Sequence, residues 1–307
     1  MMTPIPFTHP SADGIHTLAG RVYLPETDAP RGIFHIVHGM TEHIARYDRI
    51  MQDIAAAGWI ACGYDNLGHG HTARDASELG FIAHKNGWDL LCQDVKGFSN
   101  AVRRTYGEDL PYVLMGHSMG SFIARLAAER YVRPERLIIM GTGGPNPIGG
   151  PGLVIIRAVK CLRGERYISP FLDKLAFGGY NDRFAEDMDS YAWLSSDVRV
   201  RDLYRADAFC TFKFTTGAMA DLVTLTQKAN RRAWAKSLPA GLPVLLLSGE
   251  NDPVGDYGRG VLTVRDRLAA AGHPTVCCLY RDGRHEILND VTYPQVLGDI
   301  LAYLEGI

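Results

Sequence analysis

The sequence predicts an α/β protein with a mostly parallel central sheet that is covered by helices on both faces. Short apolar runs alternate with segments of helical periodicity in both halves of the chain, and strands alternating with helices of this length form parallel sheets. The alternation stops between about residues 142 and 240, after an entry dense in glycine and proline. Because the alternation then returns, one sheet with a helical insertion accounts for all 307 residues.

The first half of the chain contains five predicted strands and three predicted helices. Residues 16–25 alternate apolar and polar side chains, as a half-buried strand does, whereas residues 32–39 form the mostly apolar run of a buried strand. Apolar residues then recur at helical spacing at Ile50, Ile54 and Ala57. The predicted helices are residues 47–59, 87–107 and 120–131, and the further predicted strands are residues 59–65, 110–116 and 135–141.

The second half repeats this alternation after an interruption that is rich in aromatic residues. Its predicted strands are residues 242–249 and 275–283, and its predicted helices are residues 260–272 and 293–304. We interpret residues 142–238 as a helical cap, or lid, that folds over one end of the sheet. Residues 1–141 and 239–307 then form the core. A second independent domain joined by a linker is the alternative.

The overall charge balance excludes two classes of function. The chain has 32 basic and 34 acidic residues, a net charge of −2, which predicts neither nucleic-acid binding nor a polybasic membrane tether. The first residues lack the basic and apolar regions of a secretory signal, and no run of about 18 apolar residues predicts a membrane span. We therefore expect a cytoplasmic protein whose six scattered cysteines are reduced thiols.

Ser118 is the predicted nucleophile. It stands in the stretch Gly116–Gly120, GHSMG, directly after a predicted strand and directly before a predicted helix. In the G-x-S-x-G elbow, the serine occupies a tight strand-to-helix turn that presents its hydroxyl at the carboxyl edge of the sheet. The glycines are needed because larger side chains would collide with the adjoining strand or helix. An ordinary turn is the alternative, and the strand and helix on either side favour the nucleophile.

A serine hydroxyl needs a base because it is un-ionised at neutral pH. His285 follows the last predicted strand and precedes the final helix, so a loop there can bring an imidazole to the elbow. A surface loop histidine is the alternative for this residue. We expect the turn to direct the side chain of His117, beside the serine, away from the nucleophile, where it shapes the elbow.

Asp252 is the predicted partner of that base. It follows the very apolar strand 242–249, at the carboxyl edge where ligands collect in parallel sheets. The next residue, Pro253, stiffens the loop. Glu250 and Asp256 are rivals on the same loop. The resulting chain order of serine, aspartate and histidine is that of the hydrolases rather than that of either serine protease family.

Two backbone amides are predicted to bind the negative charge that develops on a substrate oxygen. The amide of Met119 lies at the start of the helix after Ser118. The amide of Met40 follows His38 and Gly39, which close an early strand. For the Met40 segment, an ordinary glycine turn is the alternative.

These residues together resemble a known family. The stretches HGMTEHIARY, YDNLGHG, GHSMG, GENDP and DGRHEIL are similar to the monoacylglycerol lipase and lysophospholipase branch of the α/β-hydrolase fold, which is often classified with serine-aminopeptidase-like hydrolases. The resemblance runs from about residue 15 to the end of the chain and is loose across the insertion. It implies the roles given above for Ser118, Asp252, His285 and the Met40 and Met119 amides. Animal monoacylglycerol lipases carry small residues at the positions of Met40 and Thr41, so a narrower pocket floor is expected here.

The predicted activity is two-step hydrolysis of carboxylic esters, with small lipid-like acyl esters of the monoacylglycerol or lysophospholipid type as substrates. It requires no metal or organic cofactor. Amide hydrolysis at a peptide amino terminus is one alternative, with Glu186, Asp187 and Asp189 as candidates to bind the ammonium group. A catalytically silent hydrolase fold that binds a ligand or a partner is another.

The cap contains a segment that could contact a lipid surface. Residues 152–163 combine apolar side chains with interleaved basic ones, as interfacial helices do. Such a helix more often packs onto the core, and that is the alternative. At helical spacing the segment places Leu153, Ile156, Val159 and Cys161, with the basic residues Arg157, Lys160 and Arg163 interleaved.

Overall fold

The central sheet has eight strands within residues 2–305, the part of the chain that the computed structural model describes. The strands are β1 (Ile5–Pro10), β2 (Thr17–Tyr23), β3 (Ile33–Val37), β4 (Ile60–Tyr64), β5 (Tyr112–His117), β6 (Arg136–Met140), β7 (Val244–Gly249) and β8 (Thr275–Tyr280). Their spatial order is β1-β2-β4-β3-β5-β6-β7-β8. The pairs β1/β2 and β2/β4 are antiparallel, and the other pairs are parallel. This arrangement confirms the predicted fold class.

Helices cover both faces of the sheet and enclose two hydrophobic clusters. The helices are α1 (Asp48–Ala56), α2 (Gly87–Tyr106), α3 (Met119–Arg130), α4 (Gly149–Arg163), α5 (Pro170–Phe177), α6 (Val198–Ala206), α7 (Thr216–Ala229), α8 (Trp234–Ser237), α9 (Arg259–Ala270) and α10 (Tyr293–Leu304). Helices α1 and α10 contribute to one cluster, and α2, α3 and α9 contribute to the other. In β5, Val113 and Met115 face the first cluster and Leu114 faces the second, as the two-residue period of a strand requires.

Strand β1 is an element that the sequence pattern does not predict. It contains Pro6 and Pro10, and proline cannot donate a hydrogen bond to a neighbouring strand. The strand is stable because it lies at the edge of the sheet and pairs with β2 alone. At an edge, the missing donor need not face a partner.

The segment between β6 and β7 is helical, as predicted, but its parts differ in how they pack. Helix α7 belongs to the same hydrophobic cluster as α2 and α3, with Met219, Leu222 and Leu225 buried. Helix α4 packs on α7 and buries fully only Ile156. The division into a core of residues 1–141 and 239–307 and a cap of residues 142–238 remains a prediction.

Two further expectations concern the state of the cysteines and the presence of a membrane-spanning helix. All six cysteines are free thiols; Cys62, Cys92 and Cys210 are buried, whereas Cys161 is exposed. Over residues 2–305, none of the helices combines the length and apolar character that crossing a membrane requires.

Two glycines allow α3 to approach the sheet closely. A side-chain carbon at Gly120 would clash with the carbonyl oxygen of Val37, at the end of β3. A side-chain carbon at Gly116, at the end of β5, would clash with the carbonyl oxygen of Gly120. Both collisions involve backbone atoms, which a rotamer change cannot remove. The turn between β5 and α3 therefore depends on glycine at both positions.

We expect Gly120→Ala to destabilise the protein by at least about 3 kcal/mol, because overpacking against the backbone forces α3 away from the sheet. The matched control is Gly298→Ala in α10, where an added side-chain carbon meets nothing within 4 Å. That variant should gain about 0.5–1 kcal/mol from the better helix propensity of alanine. Urea unfolding followed by circular dichroism measures both, and equal stabilities of the two variants would contradict this packing argument.

Candidate active site

Ser118 occupies a strained turn between β5 and α3. Its backbone angles are φ +53° and ψ −120°, which a residue with a side chain rarely adopts. The turn is held by a hydrogen bond from the Ser118 amide to the Met140 carbonyl (3.0 Å) and by the Ser121 amide and hydroxyl, which donate to the Ser118 carbonyl at 2.9 and 2.6 Å. The Ser118 side chain stays partly exposed. This geometry is that of the predicted elbow.

His285 and Asp252 are in direct contact. Nδ1 of His285 lies 3.0 Å from each carboxylate oxygen of Asp252, and the two residues are 3% and 0% exposed. The Val254 amide donates a further hydrogen bond to Asp252 at 2.8 Å. Because a carboxylate only accepts hydrogen bonds, it requires the proton of a neutral imidazole on Nδ1. Nε2 is then left as the basic nitrogen.

The rival carboxylates do not reach the histidine. Glu250 is exposed, and its backbone amide pairs with the Tyr280 carbonyl at 2.9 Å. Asp256 is also exposed and pairs with Arg259 at 2.7 Å. Of the three candidates on this loop, the structure brings only Asp252 to His285.

The predicted site residues collect at the carboxyl edge of the sheet. Ser118 follows β5, Asp252 follows β7 and His285 follows β8. A side-chain carbon at Gly141, which follows β6, would lie 3.2 Å from Cε1 of His285. The His285 imidazole therefore lies at the end of β6, the strand between β5 and β7. Within the described part of the chain, the Ser118 hydroxyl forms no hydrogen bond with another residue.

The loop that carries Met40 borders the serine. A side-chain carbon at Gly39 would lie 3.0 Å from Cβ of Ser118, so the backbone of this loop passes directly beside the elbow. The Gly39 amide donates to Glu42 at 2.6 Å, which closes the loop. Met119 is the first residue of α3, where the backbone amides of a helix are free to bind a negative charge. Both predicted oxyanion amides thus belong to segments that adjoin Ser118.

His117 lies closer to His285 than its place in the sequence predicts. Its ring centroid lies 4.9 Å from that of His285, and its Nε2 lies 3.2 Å from the His285 carbonyl oxygen. On the other side of the ring, Nδ1 contacts the Tyr47 hydroxyl at 2.7 Å and Glu42 at 3.3 Å. His117 therefore supports the backbone of the His285 loop as well as the turn at Ser118.

A buried set of charges lies under this loop. Arg46 bridges Glu42 at 2.9 Å and Glu286 at 2.6 Å. Burial acts to raise the pKa of Glu42, yet its hydrogen bond with His117 and the charge of Arg46 hold that pKa well below the ordinary value. Burial likewise acts to lower the pKa of His117, but the hydrogen bond and charge of Glu42 outweigh it and raise that pKa. Glu42 precedes the short helical turn that contains Arg46, so no helical spacing in the sequence predicts this pair.

One aromatic residue of the insertion packs on His285, and a second packs on the first. The rings of Trp193 and His285 lie 5.0 Å apart, and Tyr180 packs against Trp193 at 4.9 Å. The His285 amide donates to the Trp193 carbonyl at 3.3 Å, and the Glu286 amide donates to the Leu194 carbonyl at 2.7 Å. The sequence shows an aromatic-rich insertion but carries no signal for which of its residues reach the histidine.

The acidic stretch of the insertion is largely neutralised. Asp187 pairs with Arg201 at 3.0 Å and with Arg284 at 2.7 Å, and Asp189 pairs with Arg205 at 2.8 Å. The hydrogen bond from Arg284 lowers the pKa of Asp187. Glu186 is exposed on the surface. Asp187 and Asp189 are therefore engaged by arginines rather than presented to a substrate ammonium group.

Across residues 2–305, one group of side chains could hold a metal ion. It consists of His43, Asp207 and Cys210, whose ligand atoms lie within 4.8 Å of one another. His43 Nε2 and Asp207 are already hydrogen-bonded at 2.8 Å, which accounts for their proximity without an ion. The ester hydrolysis that we expect uses none of these residues as a metal ligand.

Comparison with known proteins identifies the family. The sequence profile of the serine aminopeptidase S33 family matches residues 28–292. The monoacylglycerol lipase of Mycolicibacterium smegmatis is 27% identical over 285 residues, which is 92% of this chain and 91% of that protein.

Solved structures of similar fold support the same assignment. A highly thermostable carboxyl esterase from Bacillus coagulans, solved with glycerol, superposes with a TM-score of 0.93 at 29% identity and covers 100% of this chain and 99% of its own. A monoglyceride lipase from Saccharomyces cerevisiae shares the fold, with a TM-score of 0.74 at 18% identity over 99% of this chain and 94% of that one. These findings confirm the resemblance that the motifs indicate. The chain belongs to the serine aminopeptidase S33 family, in the monoacylglycerol lipase-like branch of the α/β hydrolases.

Proposed function

We propose that this serine ester hydrolase cleaves lipid-like acyl esters through a covalent intermediate on Ser118. The observation that carries the proposal is the buried pair of His285 and Asp252, with both carboxylate oxygens 3.0 Å from Nδ1, at the sheet edge that holds the strained serine. The similarity to a monoacylglycerol lipase over 92% of the chain supports the substrate class.

In the first step, Ser118 Oγ attacks the ester carbonyl carbon while His285 Nε2 accepts the hydroxyl proton. The carbonyl oxygen becomes negatively charged, and the Met40 and Met119 amides donate hydrogen bonds to it. Each such donor contributes roughly 3 kcal/mol to stabilising the transition state. Asp252 stabilises the imidazolium. The carbon–oxygen bond to the alcohol then breaks, and His285 gives its proton to the leaving alcohol.

In the second step, water replaces the alcohol. His285 removes a proton from the water, whose oxygen attacks the acyl carbon of the Ser118 ester. The bond to Ser118 breaks, the proton returns to Oγ, and the carboxylic acid leaves. No metal or organic cofactor takes part in this sequence. Aromatic cover from Trp193 and Tyr180 excludes water from the imidazole, which strengthens its interaction with Asp252.

Amide hydrolysis at a peptide amino terminus has weaker support. That reaction needs an unpaired anion beside the site to bind the substrate ammonium group. Asp187 and Asp189 are each bound by arginine, so they offer little free charge. The catalytically silent alternative has weak support as well, because such proteins typically lose one of the three residues, whereas this sequence has Ser118, Asp252 and His285.

Exposed side chains of the insertion support the proposal that this cap contacts a lipid surface. The sequence predicts that Leu153, Ile156 and Val159 form the lipid-facing side of helix α4. In the structure these residues are not exposed, since Ile156 is buried and Leu153 and Val159 are half-buried. Instead, Val154 and Leu162 are 67% and 82% exposed. Further exposed residues of the cap are Ile155, Ile168, Phe171 and Leu175 on the apolar side and Arg157, Arg163 and Arg166 on the basic side. Apolar and basic side chains exposed together suit the surface of an anionic bilayer.

Replacing Ser118 by alanine should lower kcat/KM for medium-chain p-nitrophenyl esters by at least about 10⁴-fold, because the nucleophile is lost. Ser237→Ala is the control, since its hydroxyl only bonds its own helix at Ala233. Aminoacyl-anilides tested with wild-type protein should be turned over far more slowly than the esters. Wild-type activity in the Ser118 variant would exclude this assignment, and faster anilide turnover would favour the amide alternative.

Asp252→Asn should lower kcat/KM by about 10³–10⁴-fold, because an amide cannot hold the productive tautomer of His285 or stabilise its charged form. The rival positions provide matched controls. Glu250→Gln and Asp256→Asn remove a carboxylate from the same loop and should leave ester turnover unchanged. A loss confined to either of those variants would assign the orienting role to that residue instead.

The double variant Val154→Asp, Leu162→Asp should weaken binding to vesicles of phosphatidylcholine and phosphatidylglycerol, since charge at the exposed face of α4 opposes insertion into lipid. Co-sedimentation measures the effect. Val291→Asp is the control, because Val291 is 63% exposed but lies outside the insertion. Turnover of a short soluble ester should not change in either variant. Wild-type protein that stays in the supernatant would refute the lipid contact.

A further inference from the structure

Thr41 lies in a backbone conformation that its side chain disfavours. Its φ is +50°, in the left-handed region that glycine adopts freely and that β-branched residues rarely enter. Thr41 directly follows Met40, the source of one proposed oxyanion amide. A strained residue persists only where its surroundings hold it in place. The contacts of Thr41 therefore influence the direction in which the neighbouring Met40 amide points.

Tyr204, from helix α6 of the insertion, holds Thr41 by two hydrogen bonds. Its hydroxyl donates to the Thr41 carbonyl oxygen at 2.9 Å. The same hydroxyl oxygen lies 2.8 Å from Oγ1 of Thr41, and since its own hydrogen is already used, Thr41 is the donor there. The pair binds both the backbone and the side chain of the strained residue. Tyr204 is 6% exposed, so water does not compete freely for these bonds.

Neighbouring residues fix the position of the Tyr204 ring. The Arg46 guanidinium lies 5.0 Å from its centroid, and the Tyr191 ring lies 5.1 Å away. Just beyond α6, Asp207 accepts a hydrogen bond from His43 at 2.8 Å. Helix α6 and the residue that follows it are thus attached to the loop of residues 39–43 at two points.

We propose that Tyr204 is a positioning residue for the oxyanion hole, supplied by the insertion to the Met40 loop. The inference rests on the proposed function. The Gly39–Met40 peptide lies between two fixed points. One is the hydrogen bond from the Gly39 amide to Glu42 at 2.6 Å. The other is the pair of hydrogen bonds between Tyr204 and Thr41, which we call the Tyr204 clamp. Loss of the clamp lets Thr41 relax toward negative φ, which turns the Met40 amide away from the substrate oxygen.

Tyr204→Phe tests the clamp, because it removes both hydrogen bonds and keeps the ring. We expect kcat for a medium-chain ester to fall about tenfold, less than the loss of a whole donor, because the amide is misdirected but present. KM should be unchanged, since the contact strengthens mainly in the transition state. Tyr191→Phe is the matched control and should leave kcat unchanged, because Tyr191 packs on Tyr204 without bonding the loop. Thermal unfolding checks that both variants fold.

A rescue experiment separates positioning from a general structural effect. Glycine adopts positive φ without strain, so Thr41→Gly in the Tyr204→Phe background should restore most of the lost kcat. Affinity for an alkyl boronic acid, which forms a tetrahedral adduct on Ser118, should fall and recover in parallel with kcat/KM. A purely structural role of Tyr204 would not be repaired by glycine at position 41.

The outcomes separate this inference from the proposed function. An active wild-type enzyme with full activity in Tyr204→Phe, or with a loss that Thr41→Gly does not repair, would overturn the inference alone. A wild-type protein that neither turns over esters nor reacts with a fluorophosphonate at Ser118 would overturn the proposed function, and the inference with it.

Discussion

The close approach of α3 to the ends of β3 and β5 determines the positions of Ser118, the start of α3 and the Gly39 loop. With no side chain at Gly116 or Gly120, the helix starts within backbone contact of two strands, and Ser118 is forced into its strained turn. The same contact brings the Gly39 loop beside the serine. Ser118, the first residue of α3 and the Gly39 loop are thereby fixed by one packing constraint.

The sequence predicts the parts of the molecule that local signals determine. The apolar runs identify the parallel strands, and the ends of those strands identify the loops of Ser118, Asp252 and His285. The sequence does not predict strand β1, because its two prolines argue against a strand and only its position at the edge makes it possible. The choice of Asp252 over Glu250 and Asp256 depended on loop geometry, which the sequence could suggest through Pro253 but could not demonstrate.

Residues that meet only through tertiary contacts could not be predicted in this way. Tyr204 contacts a residue 163 positions earlier, and the Trp193 ring packs on His285 from a loop without regular periodicity. The face that α4 buries was also not deducible, because both sides of the helix carry apolar residues and the partner α7 decides between them. Similarly, Arg46 joins Glu42 to Glu286, which lies 240 positions after Arg46, and neither half of that bridge has a spacing that a helix explains. Such a buried cation depends on both carboxylates, since removing one leaves a charge without compensation.

The packing of helix α7 limits which segments could be exchanged between hydrolases of this branch. Its buried face is continuous with the core under the sheet, so the insertion is not a detachable module along its whole length. A graft that exchanged everything between β6 and β7 would strip apolar cover from α2 and α3 and leave the recipient prone to aggregation. An exchange limited to α4 and α5 would leave the contacts of α7 with α2 and α3 in place. These two helices are therefore the part of the insertion in which substrate preference can diversify with a small loss of stability.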